Sequence, residues 1–177
     1  MHMAKSDSFF IRADVETNGT TYAQTEIDLG SYVNLGVSKS TLLRIHNVAI
    51  SVADDDDPKS QAPFLVAANS EEKISMQLTT QSQTAIVHAS DKSVIASAAI
   101  FIGNDTATAL NASEMTDALD VLPQMWRNGY LVGVDSLYWA VNTALGLNGE
   151  AKCSIVMECT LENATQANSV ALALSQQ

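Results

Sequence analysis

The strongest constraint on the fold is a period-two alternation of apolar and polar residues that recurs along most of the chain. In residues 9–16 and 22–29, apolar side chains occupy one face and polar side chains the other, which is typical of half-buried β-strands. Asn18 and Gly19 lie between these runs and favour a tight turn. Residues 9–29 therefore predict an opening β-hairpin.

The alternation also predicts an irregular strand over residues 40–52. Its apolar positions change parity between Ile45 and Val48, so we expect a β-bulge near His46 and Asn47. Further strands are predicted at 71–81, 84–89 and 93–103, and a closing hairpin at 130–142 and 151–162. The side chains expected in the core of these segments are Ile74, Met76, Leu78, Leu137, Trp139, Val141, Ile155, Met157 and Leu161.

One segment favours a helix. Residues 111–123 begin with Ser113 as a potential N-cap, carry acidic residues in the first turns and end at Pro123. The chain is thus expected to be all-β, with about eight antiparallel strands and one short helix, arranged as a sandwich or a closed barrel.

Length and termini predict one domain over residues 1–177. Residues 1–3 (MHM) are typical of a cloning scar, and residues 1–8 are expected to form a flexible arm. The start of the sequence has no apolar stretch typical of a secretory signal, and no apolar run approaches the ~18 residues of a membrane-spanning helix.

Charge and composition argue against some functions. Nine Lys and Arg residues stand against 20 Asp and Glu residues, giving a net charge of −11 without a basic stripe, so direct nucleic-acid binding is not expected. Only 16% of residues are charged, against ~25% in typical domains. Such a surface suits either a subunit with protein neighbours or a polar secreted β-protein.

The sequence predicts no catalytic set. Cys153 and Cys159 lie six residues apart on one strand, roughly 20 Å, so they cannot form a disulfide, which needs Cα atoms within ~7 Å. Two reduced core cysteines are expected, with a catalytic thiol as the alternative. His46 and His88 are placed in different strands without a second ligand nearby, which favours packing over metal binding or catalysis. No cofactor is expected.

An acidic run, Asp54–Asp57, is the only charge cluster. One interpretation is a Ca²⁺ site, with Asp55 and Asp57 as the candidate ligands, because hard cations prefer several carboxylate oxygens. The spacing differs from that of an EF-hand loop. The alternative is a solvated acidic loop that protects a sheet edge from unwanted pairing.

Two aromatic residues outside the alternating segments are candidates for an intersubunit contact. Trp126 and Tyr130 lie in the loop-like stretch MWRNGY, and aromatic side chains carry much of the energy of protein interfaces. The alternative is that both rings simply cap the hydrophobic core.

The C-terminal third of the chain resembles single jelly-roll capsid proteins of tailless icosahedral viruses of archaea and marine microbes. The similarity lies in SLYWAV (136–141), MECTLEN (157–163) and the tail NATQANSVALAL (163–174), and upstream in STLLRIHNVAISV (40–52). It covers about half of the chain. The resemblance implies a jelly roll of two four-stranded sheets that assembles into cyclic capsomers.

The resulting hypothesis is a non-enzymatic structural protein of the virion, the major capsid protein, made in the host cytoplasm. Its expected partners are copies of itself, as trimers or pentamers, and other capsid proteins. Because the chain is acidic, an internal membrane or another protein is expected between the shell and the genome. The alternatives are a carbohydrate- or ligand-binding β-sandwich that uses Ca²⁺ and a cupin-type enzyme, for which the required histidine set is missing from the sequence.

Overall fold

The computed structural model describes residues 7–35, 38–107 and 109–177, without the side chains of residues 119 and 120. The predicted scar (1–3) and most of the predicted arm (1–8) lie outside these ranges. The strands are β1 (Phe9–Glu16), β2 (Ala23–Asp28), β3 (Lys39–Asp54), β4 (Val66–Ala67), β5 (Ser70–Thr79), β6 (Val94–Asn104), β7 (Leu110–Asn111), β8 (Glu114–Val121), β9 (Tyr130–Val132), β10 (Ser136–Thr143) and β11 (Ala151–Thr165), and the helix is α1 (Gln166–Ser175).

Two antiparallel sheets define the architecture. The first has the order β1-β11-β3-β9, and the second has the order β2-β10-β5-β6-β8. Without the short strands β4 and β7 and the edge strand β8, eight strands remain. Among these eight, the first strand (β1) is the neighbour of the last (β11) in one sheet, and the second strand (β2) is the neighbour of the seventh (β10) in the other. This is the strand order of a jelly roll, which confirms the predicted fold class.

One hydrophobic core lies between the two sheets, as the alternation predicts. Of the nine core side chains named from the sequence, all are buried except Leu161, which is partly buried and packs against the core. Trp139 of β10 spans the sandwich, and its indole N–H donates to the carbonyl of Cys153 in β11 (2.9 Å). The indole is thus both packed and hydrogen-bonded, as a buried tryptophan requires.

The predicted bulge is present at His46. Asn47 pairs with Glu158 and Ile45 pairs with Cys159, so His46 is the extra residue on β3. This insertion lets Ile45 and Val48 both face the core, although they are three positions apart and strict alternation would put them on opposite faces.

Both predicted hairpins are wrong. β1 pairs with β11 and β2 pairs with β10, so the turn at Asn18 and Gly19 carries the chain from one sheet to the other. In the same way, β10 and β11 face each other across the core instead of pairing. Alternation identifies which face of a strand is buried, but it does not identify the neighbour of that strand.

The predicted helix at residues 111–123 is also wrong, because Glu114–Val121 forms β8 along the free edge of β6. A short isolated helix is marginal in water, whereas strand pairing satisfies the backbone groups of β6. The single α-helix of the described residues is α1, where the Thr165 hydroxyl accepts from the Asn168 N–H as an N-cap. No helix in this part of the chain is long and apolar enough to cross a bilayer.

The predicted strand at residues 84–89 is a loop, so His88 lies in a loop and not in a strand. The buried side chain of Gln77 holds this loop on the second sheet. Its amide donates to the Ala85 carbonyl (3.1 Å), and its amide oxygen accepts from the Val87 N–H (2.9 Å). The apolar residues of this segment therefore cover a sheet face without pairing to a strand.

Candidate subunit-contact surfaces

The link between β8 and β9 carries an exposed aromatic side chain, that of Trp126. Leu122 is buried, and a 3₁₀ turn at Pro123–Met125 then carries the chain from the second sheet to the first. Met125, Trp126 and Arg127 protrude after this turn, and Trp126 is 54% exposed. We call these three residues the 125–127 knuckle.

Side-chain amides fix the base of the knuckle on β3. The Gln124 amide oxygen accepts from the Val48 N–H (3.1 Å), and its amide nitrogen donates to the Val48 carbonyl (2.9 Å). This pair of hydrogen bonds replaces the two that a neighbouring strand would make to the backbone of Val48. On the other side of the knuckle, the Arg44 guanidinium donates to the Asn128 carbonyl (2.7 Å) and to the Glu162 carboxylate. The bond to Glu162 raises the pKa of Arg44 above its ordinary value.

A second glutamine, Gln176, makes hydrogen bonds to backbone and side-chain groups in and next to β9. The Gln176 side chain accepts from the Gly133 N–H (2.8 Å) and donates to the Leu131 carbonyl (2.7 Å) and the Tyr130 hydroxyl (3.3 Å). Tyr130 is half buried, and burial raises the pKa of its hydroxyl. The two aromatic residues named from the sequence therefore differ, because Tyr130 packs against the core while Trp126 faces solvent.

Beyond Val48, β3 has a free edge. Its backbone groups alternate in direction, and Asp55 N–H donates to the Glu150 carbonyl on the β11 side (3.2 Å). The N–H and C=O groups of Ile50 and Val52 therefore point away from β11. β9 pairs only with Leu43–Ile45, so no strand in the described parts of the chain pairs with this stretch of β3.

A cleft opens between the two sheets beside that edge. It measures about 300 Å³ and has mainly apolar walls from β3, β5, β6, β8 and the turn before β4. Met115 of β8 is exposed at its mouth, and Asp117 is the one charged residue in its lining. The side chains that line it are Ile50, Val52, Phe64, Met76, Ala98, Ala99, Ile100, Met115 and Asp117.

The knuckle and the cleft lie on the same edge of the sandwich, because Gln124 is bonded to Val48, two residues from Ile50. We call the combined area the edge surface. Its apolar members are Ile50, Val52, Phe64, Met115, Met125 and Trp126. The sequence pointed to Trp126 alone, since the cleft and the two glutamine contacts depend on which strands become neighbours.

The opposite edge of the first sheet is β1, whose outer side pairs with no strand among the residues that the structure describes. Phe10 on β1 is 54% exposed, and the Arg12 guanidinium lies over its ring, 5.5 Å from the centroid. Apolar side chains are therefore accessible at both edges of this sheet.

The acidic run is largely engaged in local contacts. Asp54 accepts from the N–H groups of Asp56 (3.0 Å) and Asp57 (2.9 Å), while Asp57 lies 3.2 Å from the Lys59 ammonium. Asp55 lies 3.8 Å from the Lys152 ammonium. Within the ranges that the structure describes, no group of three His, Cys, Asp or Glu residues is placed to hold a metal ion.

The buried thiols lack the features of a reactive cysteine. Cys153 and Cys159 are free and fully buried, as expected from the sequence. Burial raises the pKa of each thiol to about 12, and the charge of Glu158 adds to this effect at Cys159. His46 has its Nε2 atom 2.8 Å from the Thr160 hydroxyl oxygen, a bond between neighbouring strands. Cys153 and Cys159 therefore pack in the hydrophobic core, and His46 links β3 to β11 through a side-chain hydrogen bond.

The fold and its free edges define a jelly-roll β-sandwich protein with unpartnered apolar surface. No protein-family model matches the sequence, and no curated protein matches it either. Among solved structures, the chain is similar in fold to polyomavirus VP1 proteins at very low sequence identity.

Three of these structures illustrate the similarity. VP1 of human polyomavirus 12, in complex with 3'-sialyllactosamine, has 9% identity and a TM-score of 0.44 over 90% of this chain and 100% of that chain. VP1 of trichodysplasia spinulosa-associated polyomavirus, in complex with GM1 oligosaccharide, has 8% identity and a TM-score of 0.48 over 87% and 93%. An unassembled VP1 pentamer of Washington University polyomavirus has 9% identity and a TM-score of 0.46 over 93% and 98%.

Proposed function

We propose that this protein is a capsid subunit, the major capsid protein of a virion, and that it acts by geometry and not by catalysis. The observation that carries the proposal is a complete jelly roll with apolar side chains exposed at opposite edges, Phe10 at β1 and Trp126 beside β3. A subunit with accessible apolar edges on two sides can contact one neighbour at β1 and another at the Trp126 edge, as assembly into a shell requires.

Composition supports the same proposal. A surface with few charges loses little solvation when it is covered by a neighbour, and only 16% of the residues are charged. Jelly rolls also occur in lectins and cupins, so the fold alone does not select a function. The capsid proposal rests on the fold together with the exposed edges and the resemblance of the C-terminal segments.

Within this proposal, Trp126 is the intersubunit anchor and Tyr130 supports it from inside. Trp126 is exposed on a short, well-braced turn, whereas Tyr130 contributes its hydroxyl to the bonds of Gln176. An aromatic anchor on a rigid base loses little conformational freedom when it is buried by a partner.

The partners of the shell follow from charge. A net charge of −11 makes direct neutralisation of a genome by this protein unfavourable, so we propose an internal membrane or another protein beneath the shell. Synthesis in the host cytoplasm and contacts with other capsid proteins belong to the same proposal. Strong, salt-sensitive binding of DNA by the assembled protein would count against it.

Electron microscopy of the purified protein, combined with its native mass, tests the function. We expect trimers, pentamers or closed shells. A strict monomer at every concentration that binds glycans would contradict the proposal and favour the carbohydrate-binding alternative. A Ca²⁺-dependent form of that alternative further requires a melting temperature that rises with Ca²⁺ and falls back with a chelator.

A further inference from the structure

The 125–127 knuckle combines three residue types that are enriched in the cores of protein interfaces, namely Met, Trp and Arg. Met125 and Trp126 are each more than half exposed, and Arg127 is exposed beside them. Two adjacent large apolar side chains on a turn that is braced by Gln124 and Arg44 form a rigid protrusion. A protrusion of this kind is complementary to an apolar cleft.

The cleft of the edge surface has suitable chemistry for that protrusion. Its walls are Ile50, Val52, Phe64 and other apolar side chains, and its volume is about 300 Å³. The backbone groups of Ile50 and Val52 at its rim have no strand partner among the described residues, so an incoming chain can bond to them. An exposed strand edge of this type is normally covered or protected.

The charged residues of the cleft and of the knuckle indicate which group the cleft binds. The lining of the cleft contains one charged residue, Asp117, and the knuckle contains one, Arg127. Neither takes part in an ion pair within the described residues. The cleft therefore suits a bulky apolar group accompanied by a cation, and the knuckle of this same chain supplies both.

The knuckle and the cleft lie on one edge and not on opposite faces. A surface that carries both the protrusion and its complement is self-complementary, which is the requirement for a contact about a two-fold axis. In such a contact each interaction occurs twice, because residue i of one copy meets residue j of the other and the reverse.

We propose that the edge surface binds the edge surface of a second copy about a two-fold axis. Trp126 of each copy enters the cleft of the other, and Arg127 of each copy pairs with Asp117 of the other. The inference rests on the proposed function only in that both assign this edge to contact between copies. In a shell, this contact joins subunits of neighbouring rings.

Replacement of the anchor gives the first test. Trp126→Ala should raise the dissociation constant of the two-fold pair by about 30-fold or more, the loss typical of an interface tryptophan. Phe10→Ala is the matched control, because Phe10 has the same exposed fraction on the opposite edge. Sedimentation velocity over a concentration series measures both variants. Equal effects of the two substitutions, or no effect of Trp126→Ala, would overturn the proposal.

A charge-reversal cycle gives the second test and is specific to the two-fold geometry. Asp117→Arg and Arg127→Asp should each weaken the pair, and the double variant should recover at least half of the loss in free energy because the opposite charges meet again. Both positions are exposed, so the thermal melt of each variant should stay close to that of the parent. An additive double variant would refute the pairing of Arg127 with Asp117.

Microscopy of the same variants separates this proposal from the capsid function. Pairs that depend on Trp126, with no ring or shell at any concentration, would support the two-fold contact and contradict the capsid function. Rings or shells that form equally well with Trp126→Ala and with each charge reversal would support the capsid function and overturn the two-fold contact.

Discussion

At the scale of single residues, Glu72 illustrates how a buried charge is held in this fold. Its side chain is 3% exposed and accepts from the N–H groups of Lys73 (2.8 Å), Ala144 (2.7 Å) and Leu145 (3.0 Å). These bonds fix the start of the loop between β10 and β11. Glu72→Gln replaces one acceptor oxygen with a donor that faces an N–H group, so the free energy of unfolding should fall by about 2 kcal/mol. Urea unfolding measures this, with Glu71→Gln as the exposed control; equal stability of the two variants would contradict the assignment.

The two cysteines provide a prediction about pH. Burial raises the pKa of Cys153 and Cys159 from the ordinary value of 9.0 to about 12. The folded state thus holds these protons more tightly, so the stability they contribute is complete below pH 9 and is lost as the pH rises towards 12. At pH 8 a thiol reagent should react with both cysteines in denaturant and with neither in the native protein. Rapid labelling of the native protein would show that a thiol is accessible.

At the scale of elements, Gly129 determines how β9 docks on β3. It has a φ of +63°, and a Cβ atom there would lie 2.2 Å from the Ile45 carbonyl oxygen. Gly129→Ala should therefore destabilise the protein by at least about 2 kcal/mol, from backbone strain and from displacement of β9. Gly19→Ala is the matched control, with a φ of +52° and open space around the new atom, and should cost about 1 kcal/mol. Chemical denaturation of both compares them, and equal losses would mean that β9 moves aside without cost.

The elements also show how far sequence alone can reach. The bulge at His46 and the inward faces of β5, β10 and β11 follow from side-chain alternation, which is a local signal. Sheet order is not local: the same alternation fits a hairpin or two strands in opposite sheets. Residues 114–121 form a strand despite the helical signals at Ser113 and Pro123, because this pairing satisfies the backbone hydrogen-bonding groups along one side of β6. In the capsid-like tail (163–174), the N-cap Thr165 is the local sequence signal for the start of α1.

The candidate surface was predictable only in part, for the same reason. Trp126 could be singled out from the sequence because it falls outside every alternating segment. Its counterpart, the cleft, is built from β3, β6, β8 and Phe64, and these are adjacent only because of sheet order and loop path. The Gln124 and Gln176 contacts that close two stretches of sheet edge belong to the same class of long-range information.

At the scale of the whole molecule, association between copies should increase with salt. Each copy carries a net charge of −11, so neighbouring copies repel one another, and this repulsion is screened as the Debye length falls from about 10 Å at 0.1 M to about 3 Å at 1 M. The single Arg127–Asp117 attraction per half of the proposed contact is weakened by the same screening. An exposed pair contributes at most about 1 kcal/mol, so the repulsion between the whole copies should dominate. Apolar contacts at the edge surface are strengthened further by salts that are excluded from protein surfaces.

Light scattering across a series from 0.05 to about 1 M NaCl should therefore show growing assemblies, with sucrose at matched osmolality as the uncharged control. Assemblies that dissolve as NaCl rises would mean that charge pairs, and not screened apolar edges, hold the copies together.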